Sequence, residues 1–281
     1  KGDMFGLKRN NDGIKYMGIG GHLMFTILAK EIYDKYKKKV VFMSNNRIMK
    51  SSVWINNPHI SFKNDKNTIR IDLSKYPINN EHGNINTHTV IYRCNFFNVY
   101  PKKIYPILKY TEKEELKIKN LLKELPTKFL CIEPHAKTSW TVNKSLPFYK
   151  WQNIVNELIK HNINIVQVSM PGKKLLDNVI DFINKISSFR ECACLLKYCN
   201  LFVSTEGGLM HASAANNNRS FIIYSPMFNP KKTLYDNVDY IWIHNEKHNS
   251  CNKIQKCNEC LKQMFNFDEN IIVDKILKIY N

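Results

Sequence analysis

Two short stretches carry the residues most able to do chemistry. The first is Glu206-Gly207-Gly208-Leu209-Met210-His211, which follows an apolar run at 200–205 and opens into the small residues Ala212, Ser213, Ala214 and Ala215. Glycines let backbone N–H groups approach a ligand closely, and a helix starting there turns a positive dipole end toward an anion. Glu206 suits hydroxyl groups of a sugar or ribose, or the holding of a loop. A helix-capping Glu and a buried structural His are the alternative. The second stretch, "EPHAKTSWTVNKSLPFYKW" (133–151), presents His135, Lys137, Thr138, Ser139, Thr141 and Lys144 between a strand and a helix. Hydroxyls, cations and a helix start together suit a diphosphate; a solvated Lys/Thr loop is the alternative. The glycine spacing of a classical phosphate loop is missing, and so is G-x-G-x-x-G, which disfavours a standard nicotinamide fold.

A third group is His248, Cys251, Cys257 and Cys260, with His244 nearby. C-x5-C-x2-C with an upstream His could hold structural zinc or iron in tetrahedral geometry. Free thiols and a disulfide are the other readings. A metal there would brace a loop and do no chemistry, because three or four protein ligands close the site.

The elements around these groups alternate. Strands are expected at "KYMGIGG" (15–21), "VVFM" (40–43), "TIRIDL" (68–73) and "HTVIYR" (88–93), with a helix at 22–36. "TEKEELKIKNLLKEL" (111–125) predicts an amphipathic helix capped by Thr111 with Glu114 three residues on. Beyond Pro126 the pattern restarts. Strands are expected at 128–134, 163–170, 200–205, 220–225 and 238–244, and helices at 146–161, 173–186, 189–199, from 208, and at 268–280. Apolar strands alternating with helices imply parallel sheets covered on both faces. The expected fold is therefore α/β, with two Rossmann-like domains, residues 1–125 and 126–281. The closing helix is expected to pack back on the first domain.

The two loops resemble those of glycosyltransferase family 9, the ADP-heptose:lipopolysaccharide heptosyltransferases. The shared residues are "NKSLPFYKW" and "TEGGLMHASAA", with a weaker likeness in "GIGGHLMFTILAKEI" near the N-terminus. The resemblance implies a GT-B arrangement, two parallel-sheet domains facing across a cleft. It implies inverting transfer of a sugar, heptose being one option, from a nucleotide-diphosphate donor to a glycan, lipid-linked or protein acceptor. No cofactor is required for that chemistry. It places Lys144 on the donor phosphates, assisted by Thr138 or Ser139. Glu206 would fix the donor, and Gly207, Gly208, Leu209 and His211 would line the diphosphate and sugar. At the position where the family carries a catalytic Asp stands His22, which is either the base or a packing residue; Asp3 and Asp12 are fallbacks. Related protein-modifying heptosyltransferases have an iron-binding cysteine motif, which bears on the Cys251–Cys260 group. A nucleotide-sugar epimerase and a non-catalytic polyanion- or glycan-binding protein are the competing functions.

Composition narrows the setting. Of 281 residues 43% are hydrophobic, enough for a real core. No stretch of about 18 apolar residues predicts a membrane span, and residues 1–13 do not read as a signal peptide. The net charge is +18, from 42 basic and 24 acidic residues. The lysines are scattered, which makes nucleic acid an unlikely partner and favours an anionic substrate or peripheral contact with an anionic membrane. Eight cysteines in a chain this long suggest a reducing, cytoplasmic setting.

Overall fold

The computed structural model describes residues 18–77, 81, 86–136, 138 and 140–280. In the first half these form α1 (Ile19–Tyr36), β1 (Lys39–Ser44), β2 (Arg47–Ile48), β3 (Thr68–Asp72), α2 (Thr89–Phe96) and α3 (Glu112–Leu122). The second half contributes β4 (Leu130–Glu133), α4 (Phe148–Lys160), β5 (Ile165–Gln167), β6 (Ile180–Asp181), α5 (Phe189–Leu195), β7 (Leu201–Thr205), α6 (Gly208–Ala215), β8 (Ser220–Tyr224), β9 (Val238–Trp242), α7 (Asn258–Asn266) and α8 (Asn270–Tyr280).

The first sheet has three strands in the order β2-β1-β3. β1 and β2 form a hairpin whose two-residue turn, Asn45-Asn46, has φ of 47° and 63°. Asparagine tolerates that left-handed backbone, which matches the twist of paired strands. β3 lies parallel to β1, with Val41 opposite Arg70.

The second sheet is all parallel, in the order β6-β5-β4-β7-β8-β9. The chain therefore winds outward from β4 to one edge, returns, and winds from β7 to the other. The point of reversal lies between β4 and β7, where Glu133 stands opposite Ser204. In such sheets the crevice at the strands' carboxyl ends is formed at this reversal.

α1 is buried on nearly every side over its first half, from His22 to Ala29. A helix hydrophobic all round belongs inside a fold rather than on its surface. Leu23, Phe25 and Leu28 join one continuous apolar cluster with Leu209 and Met210 of α6 and with Tyr235. The two halves thus share a core. Arg190 on α5 adds a polar link. It donates to Glu114 at 2.6 and 2.7 Å, to the carbonyl of Ser52 at 3.0 Å and to that of Lys109 at 2.6 Å.

α3 begins with the expected capping box. Thr111 Oγ1 accepts from Glu114 N–H at 3.2 Å, and Glu114 Oε2 accepts from Thr111 N–H at 2.7 Å. The helix docks on α5 and the turn after it: Lys117 meets Glu191 on α5, and Glu115 meets Lys197 in the following 3-10 turn.

Four expectations need correction. Residues 88–93 are helical, not extended. Val90, Arg93 and Cys94 are buried at helical spacing, and the His88 side chain accepts from Val90 N–H and starts α2. The stretch 173–186 is not a helix: Asn178 takes φ 60°, and Ile180–Asp181 add a short edge strand beside Val166 and Gln167. The fully buried Gln167 amide binds this segment, donating to Lys174 O at 2.9 Å and accepting from Leu176 N–H at 2.8 Å. Ile19 to Gly21, expected at a strand end, open α1, while residues 15–17 lie outside the described ones. α8 stays with the second half. Its Ile272, Val273 and Ile276 pack with Trp151, Ile154 and Leu158 of α4, and Lys150 secures its start by donating to Phe267 O at 2.6 Å and Glu269 Oε2 at 2.5 Å.

Candidate active site

The loops singled out in the sequence leave the carboxyl ends of β4 and β7, on either side of the reversal point. They meet. Lys144 Nζ donates to Glu206 Oε2 in a close ion pair, with only 12% of the lysine side chain and 8% of the glutamate exposed. The ammonium also lies 4.5 Å from the centre of the Trp140 ring and 4.6 Å from that of Phe228, two rings stacked 6.0 Å apart. Aromatic faces and a buried carboxylate fix a flexible lysine at one point.

The starts of α1 and α6 come together at the same place. Helix α1 begins after Gly18 and α6 after Gly207; neither has a side-chain cap nor an acid in its first turn. A β-carbon placed on Gly208 would stand 3.8 Å from the backbone nitrogen of Gly20. One placed on Gly20 would collide with the His211 ring, 2.5 Å from Cδ2. Glycine at 20 is therefore a steric requirement. Two helix N-termini that open on glycine, with no N-cap side-chain bond, converge beside a buried lysine, which is a strong anion environment.

The buried groups have shifted titrations. Burial opposes ionisation of Glu206, but Lys144, then His211, outweigh it and hold the carboxyl below its ordinary range. Burial lowers His211 to about 4, against the pull of Glu206, so its ring is neutral at pH 7. Its Nδ1 lies 2.7 Å from the Tyr235 hydroxyl, and its Nε2 3.9 Å from Glu206 Oε1. A second cation, Lys232, is 4% exposed, and burial lowers its pKa against the fields of Glu81 and Glu206. Glu133, ending β4, is pushed up to about 8 by burial.

The other expected residues fall as follows. Leu209 is buried in the shared core. His135 is turned away from the ion pair: its Nε2 donates to Lys174 O at 2.7 Å and its ring stacks on Phe148. Thr138 lines a separate cavity of about 590 Å³ with Val142, Ser145, Pro147, Leu261 and Phe265; Lys144, Glu206 and His211 are not among its described lining residues. Lys137, Ser139, Asp3 and Asp12 lie outside the described residues.

His22, read from the sequence as either the base or a packing residue, is enclosed. The residue is 3% exposed, its Nδ1 lies 3.0 Å from Ser51 Oγ, and its ring packs against Trp54 at 5.2 Å. Burial, then the Arg93 charge, lowers it to about 4. A base works best with a pKa near the operating pH and a path to the proton, and the enclosure of this ring favours the packing reading over the base.

Sequence reasoning missed Arg93, Glu81 and Tyr235. Arg93 is fully enclosed, paired twice with Glu81 at 2.7 and 2.8 Å, and donates to the Gly21 carbonyl at 2.8 Å. It thereby fixes the first turn of α1. The available signal was a lone arginine within the apolar run 88–94, which was assigned to a strand.

His248, Cys251, Cys257 and Cys260 gather as one group, their ligand atoms all within 4.8 Å of one another. His248 Nε2 lies 3.2 Å from Cys260 Sγ and 3.4 Å from Cys257 Sγ, and Cys251 Sγ lies 3.3 Å from Cys260 Sγ. Three sulfurs and one imidazole at this spacing fit a tetrahedral zinc or iron ion.

The sheet order and the loops at the reversal point are those of a GT-B-like α/β fold. The profile of glycosyltransferase family 9 (heptosyltransferase) matches residues 58–262, and the chain belongs to that family. It is a glycosyltransferase. Among solved structures, the family 9 glycosyl transferase from Veillonella parvula superposes with a TM-score of 0.68 at 12% identity, covering 94% of this chain and 95% of that one. The E. coli ADP-heptose LPS heptosyltransferase II gives 0.60 at 12% identity, covering 93% and 96%. The iron-containing dodecameric glycosyltransferase TibC from enterotoxigenic E. coli gives 0.67 at 12% identity, covering 94% of this chain and 74% of that one. No curated protein matches the chain in sequence. Among the described residues no helix is long and apolar enough to cross a membrane.

Proposed function

We propose that this chain moves a sugar, with inversion, from a nucleoside-diphosphate donor to a hydroxyl of a glycan, lipid-linked or protein acceptor. Heptose on ADP is the first donor to test, because TibC has been solved with ADP-D-β-D-heptose. The observation that carries the reading is the convergence of Lys144 with the uncapped starts of α1 and α6 at the β4/β7 reversal.

In this reading the diphosphate sits at the two helix starts, and Lys144 meets its outer oxygens. As the glycosidic bond breaks, negative charge grows on the leaving diphosphate while the anomeric carbon becomes cationic. Fixed N–H groups and a positioned ammonium stabilise that charge without reorganising. Glu206 orients Lys144. The neutral His211, held by Tyr235, lines the sugar side. The Cys3His group holds a structural zinc or iron that braces the 248–260 loop and takes no part in transfer.

A thermal-shift panel of ADP-, GDP- and UDP-sugars tests this. One nucleotide class is expected to stabilise the wild type, with the shift blunted in Lys144→Ala measured against its own ligand-free melting point. Equal shifts in both proteins remove Lys144 from the phosphates.

A further inference from the structure

We infer that Asn143 is a positioning residue that couples the His248/Cys251/Cys257/Cys260 group to Lys144, so that metal occupancy sets donor affinity. The inference rests on the metal and donor readings above.

Asn143 is fully buried and precedes Lys144 directly. Its amide is spent on the cysteine loop. Nδ2 donates to Lys253 O at 2.7 Å and Gln255 O at 2.8 Å, and Oδ1 accepts from Cys257 N–H at 2.8 Å. Both N–H groups and one lone pair are thus used. All three partners are backbone groups on the stretch from Cys251 to Cys257. The carbonyls of 253 and 255 point at one nitrogen only while that stretch keeps its curl. An ion held by the two cysteines at its ends would fix the curl. Residues 253–256, between those cysteines, are all exposed.

A second link runs to the aromatic side of the same lysine. Cys251 N–H donates to Pro226 O at 3.4 Å and Asn252 N–H to Met227 O at 3.0 Å, which places Phe228 against Lys144. Met227, Cys257 and Cys260 form a small buried cluster flanked by Trp140 and Phe228. The cysteine loop therefore grips both the lysine's backbone neighbour and the rings around its ammonium. Buried polar groups left without partners are costly, so loss of the curl would shift Asn143 and Lys144 with it.

Coupling between two binding sites is reciprocal. The test uses the full chain, stripped with a chelator and reloaded with zinc, and in a separate anaerobic arm with ferrous iron. ADP affinity is measured by calorimetry, metal content by mass spectrometry, and zinc affinity by chelator competition with and without ADP. Zinc-loaded wild type is expected to bind ADP about five-fold or more tighter than stripped protein, and ADP to raise zinc affinity by the same factor. Asn143→Ala should still take up metal but lose the difference; the near-isosteric Asn143→Asp, which sets a carboxylate against two carbonyls, gives a second variant should the first fail to fold. Equal ADP affinity in loaded and stripped wild type overturns the inference, as does a difference that persists in either variant. Failure to take up zinc or iron sinks the metal reading first. Failure of ADP to bind in either state sinks the donor reading first.

Discussion

Gly20 and His211 touch across the two halves of the molecule: the imidazole fills the space where a side chain at position 20 would begin. The contact joins the first turn of α1 to α6. His211 cannot retreat freely, because its Nδ1 is held by the Tyr235 hydroxyl at 2.7 Å.

Gly20→Ala should therefore destabilise the fold, although Ala is ordinarily the better helix former. Overpacking of this kind costs about 1–3 kcal/mol. Urea unfolding measures it. In the double variant with His211→Ala the cost of Gly20→Ala should fall, since the clash partner is gone. An unchanged or raised urea midpoint for Gly20→Ala alone would show that the halves part more easily than the packing implies.

Lys144→Met leaves the Glu206 carboxylate buried without its cation. Removing one partner of a buried pair costs about 3–5 kcal/mol. Lys144 holds the Glu206 pKa down, so the pair's contribution is present above the ordinary carboxylate range and is lost as pH falls through the folded value. In the variant that pKa rises, and the carboxyl protonates sooner. The stability gap between wild type and variant should accordingly narrow from pH 7 to pH 5. A constant gap would mean that the lysine contributes packing rather than charge.

Three buried histidines, His22, His88 and His211, are lowered to about 4, in each case chiefly by burial. The unfolded chain takes up these protons below about pH 6.5 while the folded chain does not. Stability present above pH 6.5 is thus lost on the way down to 4, with a slope of up to about 1.4 kcal/mol per pH unit for each histidine. Unfolding free energies at pH 7, 6 and 5 should show this decline. His88→Asn keeps an acceptor at the start of α2 and should flatten it; an identical slope would place the titration elsewhere.

Arg190 serves four acceptors from three segments. Arg190→Met should cost about 3–5 kcal/mol by chemical denaturation. Arg190→Lys should recover only part, because a single ammonium cannot span a carboxylate and two carbonyls as a planar fork does. Full recovery by lysine would reduce the interaction to charge alone.

Much of this was legible residue by residue. The Thr111–Glu114 capping box, the strand–loop–helix units around Lys144 and Glu206, and the Cys251–Cys260 spacing are local patterns, and each formed as its chemistry suggested. The failures share a cause. Residues 88–93 and 173–186 have apolar spacings that fit more than one period, and the outcome turned on distant partners: the Glu81 carboxylate for Arg93, the Gln167 amide for the 174–176 backbone. The enclosure of His22 by Ser51 and Trp54 is likewise invisible in a residue type and a position.

What the sequence by itself determined was most of the strands and helices of the second half, 173–186 and 258–266 apart, and which loops would carry charge, since periodicity, caps and glycines act within a few residues. Only the tertiary structure decided that β4 lies beside β7, that Lys144 faces Glu206, and that α1 lays Gly20 on His211. Those contacts join positions far apart in the chain. They are selected by the shared burial of apolar faces and by the need to pair each enclosed charge, conditions met by the whole fold and by no single window of it.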